Sequence, residues 1–237
     1  MTTTIVDGNG TTHFFDVVRG GHSIGKSMMF VPRGVPTVEV VPMLIYFHGH
    51  NSQSSIETYV GALPQRDFRP KLSSKKVLLV EPWGGTRSHF GDLVTAGGLS
   101  ALIDSAMFTA ISNGTPSRPC PVQPPPPPSL ILAGFSGGGG ALNSAVKNIG
   151  AYSNRLTEAW AFDCLYSEEG QNGTWVKWAK ANSDKKLRIR VTTAEDTGSP
   201  RRENAIIRRT PLSNVDASDP VRTGHEDCPI NFIPDWL

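Results

Sequence analysis

The sequence predicts an α/β fold in which a mainly parallel central sheet is flanked by helices. Three observations carry that expectation. Short apolar runs rich in Val, Ile and Leu recur along the 237 residues, bounded by Gly, Pro and Asn. Segments of helical spacing lie between several of them, and alternation of the two is the pattern of a parallel sheet with covering helices. Most of the runs are apolar throughout rather than alternating, as expected of strands buried on both faces.

Taken in order, "THFFDVV" and "SMMFVPRG" read as an antiparallel hairpin at the leading edge. The runs "VPMLIYFHG", "KKVLLVEPWG", "SLILAGFSG", "EAWAFDC" and "LRIRVTTAED" follow as the buried strands. Ahead of "SLILAGFSG", Leu99, Leu102, Ile103, Ala106 and Met107 share one face of a helix. Residues 141–149 and 173–184 predict two more helices. The proline-rich stretch 116–129, with five consecutive prolines, reads as an extended connector, because proline removes backbone donors and favours the polyproline conformation. The strand pattern resumes after it, so a single domain over residues 1–237 is expected.

Composition excludes several classes of function. The formal charge is +2 with 23 Lys and Arg against 21 Asp and Glu, and the basic residues are interspersed, which argues against nucleic-acid binding. No run approaches the roughly 18–20 apolar residues of a membrane helix, and no leader pattern opens the chain. A soluble protein without a membrane span, in the cytoplasm, is the expectation. Three cysteines, Cys120, Cys164 and Cys228, have spacings that suggest neither a disulfide framework nor a metal site. The Asn-x-Ser/Thr triplets at Asn9, Asn113 and Asn172 are too short to imply glycosylation.

The chemistry centres on Gly134-Phe135-Ser136-Gly137-Gly138, a G-x-S-x-G spacing between an apolar run and a helix. A sharp strand-to-helix turn lifts the serine hydroxyl above the sheet, and glycines two before and two after it relieve the crowding. The Gly137 amide then faces a substrate oxygen. A phosphate loop fits less well: the first lysine, Lys147, comes about two helical turns later, and the glycines lack dinucleotide-loop spacing.

A serine nucleophile needs a base and an acid. His225, in "RTGHEDCPINF", lies in a polar loop after the last strand, ahead of an apolar tail able to pack it down. His13 and His22 fall in the leading hairpin, and His89 is a candidate for lining the pocket. For the acid, Asp163 is the lone charge closing an apolar strand, which requires pairing; Glu195 and Asp196 end the next strand and remain alternatives. Both choices keep the order serine, acid, histidine.

These features together resemble the α/β-hydrolases, from "VPMLIYFHGHN" to "GHEDCPINF", or most of the chain. The resemblance implies an α/β-hydrolase fold and a serine hydrolase cleaving carboxylic esters, with Ser136 as nucleophile, His225 as base and Asp163 or Asp196 as acid. The strand ending in His48-Gly49 is similar to the segment supplying the second oxyanion amide, which assigns His50 and Gly137 to substrate binding and leaves His48 structural. It implies no metal and no cofactor, and a small-molecule or polymeric ester as substrate. Amide or peptide cleavage on the same residues, and a non-catalytic binding protein of the same fold, are the alternatives. No long insertion follows "EAWAFDC", so a minimal lid or none is expected, with Trp83 and Tyr166 placed either in the lining of an acyl pocket or in the core or at its rim, and the helix of Trp175 and Trp178 packing the core.

Overall fold

The computed structural model describes residues 2–35, 40–62, 66–112, 124–166, 173–193 and 198–237. Nine strands form one sheet among the described residues: β1 (Thr3–Val6), β2 (Gly10–Arg19), β3 (His22–Pro32), β4 (Met43–Phe47), β5 (Leu78–Pro82), β6 (Leu130–Phe135), β7 (Leu156–Phe162), β8 (Lys186–Arg190) and β9 (Val215–Ala217). Their spatial order is β1-β2-β3-β5-β4-β6-β7-β8-β9. The first three strands and the β3–β5 pair are antiparallel, and every pair from β5 to β9 is parallel.

The predicted strands are all present, and the predicted helices shift at their ends. The helix expected at 141–149 is α4 (Gly139–Lys147), preceded by a 3-10 turn at Ser136–Gly138, and that expected at 173–184 is α5 (Thr174–Ala181). Short strands β1 and β9 escape the sequence pattern because four and three residues carry too little periodicity. So do α1 (Ile56–Ala62), the single turn α2 (Arg69–Leu72), α6 (Gly198–Arg208) and α7 (Cys228–Trp236), the last being the apolar tail behind His225. The long helix α3 (Ala96–Ser112) buries Leu99, Leu102, Ile103, Ala106 and Met107, the face expected from their spacing.

Strand order explains which helix covers which face. From β4 the chain steps to β5 on one side, then returns past β4 to β6 on the other. Right-handed crossovers in opposite directions put their helices on opposite faces. Accordingly Ile56, Tyr59 and Val60 of α1 and Leu72 of α2 pack with Leu44, Tyr46 and Leu79 on one face. Helices α3, α4 and α5 pack with Met43, Ile45, Phe47 and Leu132 on the other. The strand ends of β4 and β6 therefore diverge around a crevice, the place where open α/β sheets bind ligands.

Helix α7 returns to the α1 face, where Ile230 and Ile233 are buried. Trp236 stacks on Phe162 with ring centres 5.1 Å apart, and the Arg190 guanidinium lies 4.7 Å from the Trp236 ring centre. Ring stacking and cation–π contact of this kind hold the C-terminal helix against β7 and β8. That contact fixes the loop immediately before α7, which carries His225. Glu81 of β5 is fully buried with neither carboxyl oxygen hydrogen-bonded, and burial pushes its pKa well above the usual carboxylate range. Burial thus favours its neutral form.

Candidate active site

The strand-to-helix turn at Ser136 is built by its glycines. Ser136 itself has φ 48°, in the left-handed region that L residues avoid. A Cβ on Gly134 would lie 2.8 Å from the Leu142 Cβ, so the glycine lets α4 sit close against β6. A Cβ on Gly138 would stand 2.2 Å from the Phe47 carbonyl oxygen, and one on Gly139 2.0 Å from that of Cys164. These two glycines admit the backbones of the β4 and β7 ends. Gly140 alone of the run has nothing within 4 Å of its Cβ position. The run is packed against protein at Gly138 and Gly139 rather than left as an open cradle for a phosphate.

The residues singled out at the end of three different segments meet here. The Ser136 Oγ and His225 Nε2 are 3.0 Å apart, and the His225 Nδ1 is 2.9 Å from the Asp163 Oδ2. Phe135 holds the imidazole from one side, with ring centres 4.7 Å apart. The loop returns into α7 at once, through the Cys228 amide donating to the His225 carbonyl at 3.2 Å.

Asp163 follows β7 directly, as Ser136 follows β6, and it too is left-handed, with φ 46°. It is fully buried. The Thr192 amide donates to its Oδ1 and the Thr192 hydroxyl to its Oδ2, both at 2.7 Å. With His225 as a further donor, the carboxylate is hydrogen-bonded on both oxygens, which is what a buried charge requires. Thr192 is the member that sequence reasoning missed. Its only signal is a hydroxyl residue just beyond β8, level with the end of β7. The alternative acids, Glu195 and Asp196, lie outside the described residues.

On the other side of Ser136 the end of β4 approaches closely. A Cβ on Gly49 would be 2.9 Å from the Ser136 Cβ, and one on Gly137 would be 2.5 Å from the His50 ring. Gly49 and Gly137 thus allow the segment from His48 to His50 to lie beside the serine turn. His48 is a structural residue, as expected. Its Nδ1 is 2.7 Å from the Gly49 carbonyl oxygen, its Nε2 accepts from the Gly84 amide at 3.1 Å, and burial lowers its pKa to about 4. The ring packs between Tyr59, Trp83 and Phe90.

A cavity of about 310 Å³ opens beside Gly137 and His50 and is also lined by Arg87, Ser88, His89 and Gly140. His89 lines it, in keeping with its position in the sequence. Trp83 does not; it packs with His48 and Tyr59, because the chain turns after β5 and places the indole in the core cluster of α1 and α7. Tyr166 is exposed and is not part of the cavity's lining. Trp175 is buried in the core with Trp178 against it. Cys164 and Cys228 are buried free thiols, and burial raises the pKa of each. Cys120 and residues 167–172, the start of the connection where a lid would sit, lie outside the described residues. Among the described residues no cluster of His, Cys, Asp and Glu is arranged to hold a metal ion, and no helix is long and apolar enough to cross a membrane.

No protein-family model matches the chain, and no curated protein matches it by sequence. Solved structures do match along its whole length. An S-formylglutathione hydrolase from Agrobacterium tumefaciens is 12% identical, with 99% of this chain and 96% of that one covered and a TM-score of 0.58. A feruloyl esterase module from Clostridium thermocellum is 9% identical, covering 100% of this chain and 86% of that one at a TM-score of 0.57. Poly(aspartic acid) hydrolase-1 from Sphingomonas sp. KT-1 is 12% identical, covering 100% and 98% at a TM-score of 0.54. With the strand order and helix placement above, these likenesses identify the architecture: the chain has the α/β-hydrolase fold.

Proposed function

We propose that the protein is a serine hydrolase that cleaves carboxylic esters through an acyl-enzyme on Ser136. The observation that carries the reading is the unbroken hydrogen-bonded line from the Ser136 hydroxyl through His225 to a buried Asp163. A serine has no reason to stand in left-handed backbone unless its hydroxyl is needed at that point, and surrounding structure must hold it there. In this reading His225 takes the Ser136 proton through Nε2 as the oxygen attacks the ester carbonyl. Asp163 receives the Nδ1 hydrogen bond, which fixes the tautomer and balances the imidazolium charge.

The amides of Gly137 and His50 are assigned to the oxyanion, on the strength of the close approach of their two segments beside Ser136. His225 then protonates the leaving alcohol and activates the water that releases the acyl group. The nine-stranded sheet is read as one domain, since all three members of the line come from the ends of its strands or the loop beyond them. Structures of the same fold include proteins named as a formylglutathione hydrolase and a feruloyl esterase, which supports an ester or thioester carbonyl, and a poly(aspartic acid) hydrolase, which keeps amide cleavage as the alternative.

The test is labelling by a fluorophosphonate probe together with turnover of chromogenic short-chain esters and a matched anilide. Wild type should label and cleave the ester faster than the anilide, and Ser136→Ala and His225→Ala should do neither. Ester turnover that survives in Ser136→Ala overturns the proposal, and faster anilide turnover redirects it to an amidase.

A further inference from the structure

The cavity beside the serine turn has a chemical character that ester cleavage by itself does not require. Among the described residues its lining contains one guanidinium, Arg87, two imidazoles, His50 and His89, and no carboxylate. Arg87 is exposed at the cavity and makes no ion pair among the described residues. Next to it, Ser88 is only 7% exposed, and its hydroxyl, closed to solvent, has no hydrogen-bond partner among the described residues. Ser88 also stands at φ 54°, one of three described residues other than glycine with positive φ, the other two being Ser136 and Asp163. A buried hydroxyl without a partner costs free energy, and a non-glycine residue in left-handed backbone adds strain. Both costs are borne by a buried residue that anchors the loop and presents the exposed Arg87 at the cavity.

The loop holding these groups is tied to the strand end that approaches Ser136. The Asn51 amide donates to the Thr86 carbonyl at 3.0 Å, and the Asn51 side chain to that of Gly85 at 3.2 Å. The His89 amide donates to the Gly84 carbonyl at 2.6 Å. Arg87 and Ser88 are thus fixed relative to His50 and Gly137, and the apolar wall is supplied by Phe90, Val94 and Ala141.

We propose that this cavity is a carboxylate-binding subsite, so that the preferred substrate is an ester whose acyl or alcohol part bears a carboxylate, held by the Arg87 guanidinium, with the buried Ser88 fixing the loop that presents it. A guanidinium matches a carboxylate in shape and in charge. A single guanidinium fits a monoanion better than a phosphate dianion. The substrate class rests on the ester-cleaving reading; the binding of a carboxylate does not.

The experiment compares two pairs of esters that differ only in the charge: mono-4-nitrophenyl glutarate with its methyl-capped diester, and 4-acetoxybenzoate with its methyl ester. The ratio of kcat/KM within each pair is the readout, because a merely structural defect lowers both members together. Wild type should prefer the anion in at least one pair. Arg87→Gln should reduce that ratio by about tenfold or more, and Arg87→Lys should keep part of it. Ester turnover with no preference in either pair, or a preference indifferent to Arg87, overturns the subsite. A second arm needs no catalysis: glutarate should bind folded Ser136→Ala protein in calorimetry more tightly than dimethyl glutarate, and Arg87→Gln in that background should weaken it. Binding that passes this arm in a protein that cleaves no ester would retain the subsite and reject the ester-cleaving reading; failure to bind glutarate overturns the subsite.

Discussion

The chain enters left-handed backbone at two kinds of place, and the contrast between them separates structure from chemistry. In the turn between β2 and β3, Gly20 and Gly21 have φ 58° and 81°, with open space where a Cβ would sit. At the ends of β6 and β7, Ser136 and Asp163 have φ 48° and 46° although both carry side chains. Glycine makes such a conformation free of steric cost, whereas an L side chain there costs about 1–2 kcal/mol. The hairpin takes the free solution because it needs only to reverse direction. In the proposed reading the strand ends bear the cost because the hydroxyl and the carboxylate are needed there for catalysis; the packed glycines and the Thr192 hydrogen bonds hold them in place.

The largest effect should come from removing the reason for the strain. Ser136→Gly should lower ester turnover by about four to six orders of magnitude, as loss of a nucleophile does, while raising unfolding stability by up to about 1 kcal/mol. Ser136→Ala should show the same loss of turnover without the gain, as read by ester kinetics and denaturant melts side by side. Asp163→Asn should cost about 10⁴-fold in kcat, because an amide presents the wrong partner to the His225 Nδ1. Unchanged kcat in that variant would remove Asp163 from the line and return the role to Glu195 or Asp196.

The end of β4 carries no such strain among its residues and is held instead by the buried, neutral ring of His48. Its pKa falls from 6.5 to about 4 by burial. Between those values the unfolded chain binds a proton that the folded chain does not, so stability is full above pH 6.5 and is lost as pH falls toward 4. The loss attributable to this group should reach about 3 kcal/mol, at about 1.4 kcal/mol per pH unit. Chemical denaturation of wild type and His48→Gln at pH 7 and pH 4.5 should show a smaller pH dependence in the variant.

Within the glycine run the same comparison can be made at neighbouring positions. Gly139→Ala should destabilise by about 2 kcal/mol, since its Cβ would collide with the Cys164 carbonyl, whereas Gly140→Ala should stabilise α4 by about 0.5–1 kcal/mol. Thermal melts of the pair would test whether the run is there for packing. A comparably small effect should be seen at the hairpin: Gly20→Ala should cost about 1 kcal/mol and leave ester turnover at the wild-type level. An equal cost in turnover there would erase the distinction between the two kinds of turn.

Much of this could be read in the residues. The continuous apolar runs identify strands buried on both faces, and the face of α3 follows from residue spacing. Ser136 and His225 stand out because a serine between spaced glycines and a histidine in a polar loop after the last strand have few bland explanations. Asp163 is marked by being a lone charge at the end of an apolar strand. Local chemistry of this sort survives in sequence because the constraint acts on the residue itself or its immediate neighbours.

What lay beyond the sequence depends on strands that are distant in the chain and adjacent in space. Thr192 matters only because β8 lies beside β7. Trp83 faces the core rather than the pocket because of how the chain turns after β5, and Arg87 and Ser88 gain meaning only when their loop is tied to the end of β4. The order of the glycines likewise says that a tight turn is needed, but which carbonyl each one admits is a matter of register between β4, β6 and β7. The sequence by itself determined the α/β pattern and the residue types of a serine-centred site, because periodicity and backbone strain are local. Only the tertiary structure decided which residues meet, since the hydrogen bonds joining Ser136, His225 and Asp163 span 62 and 89 positions of chain.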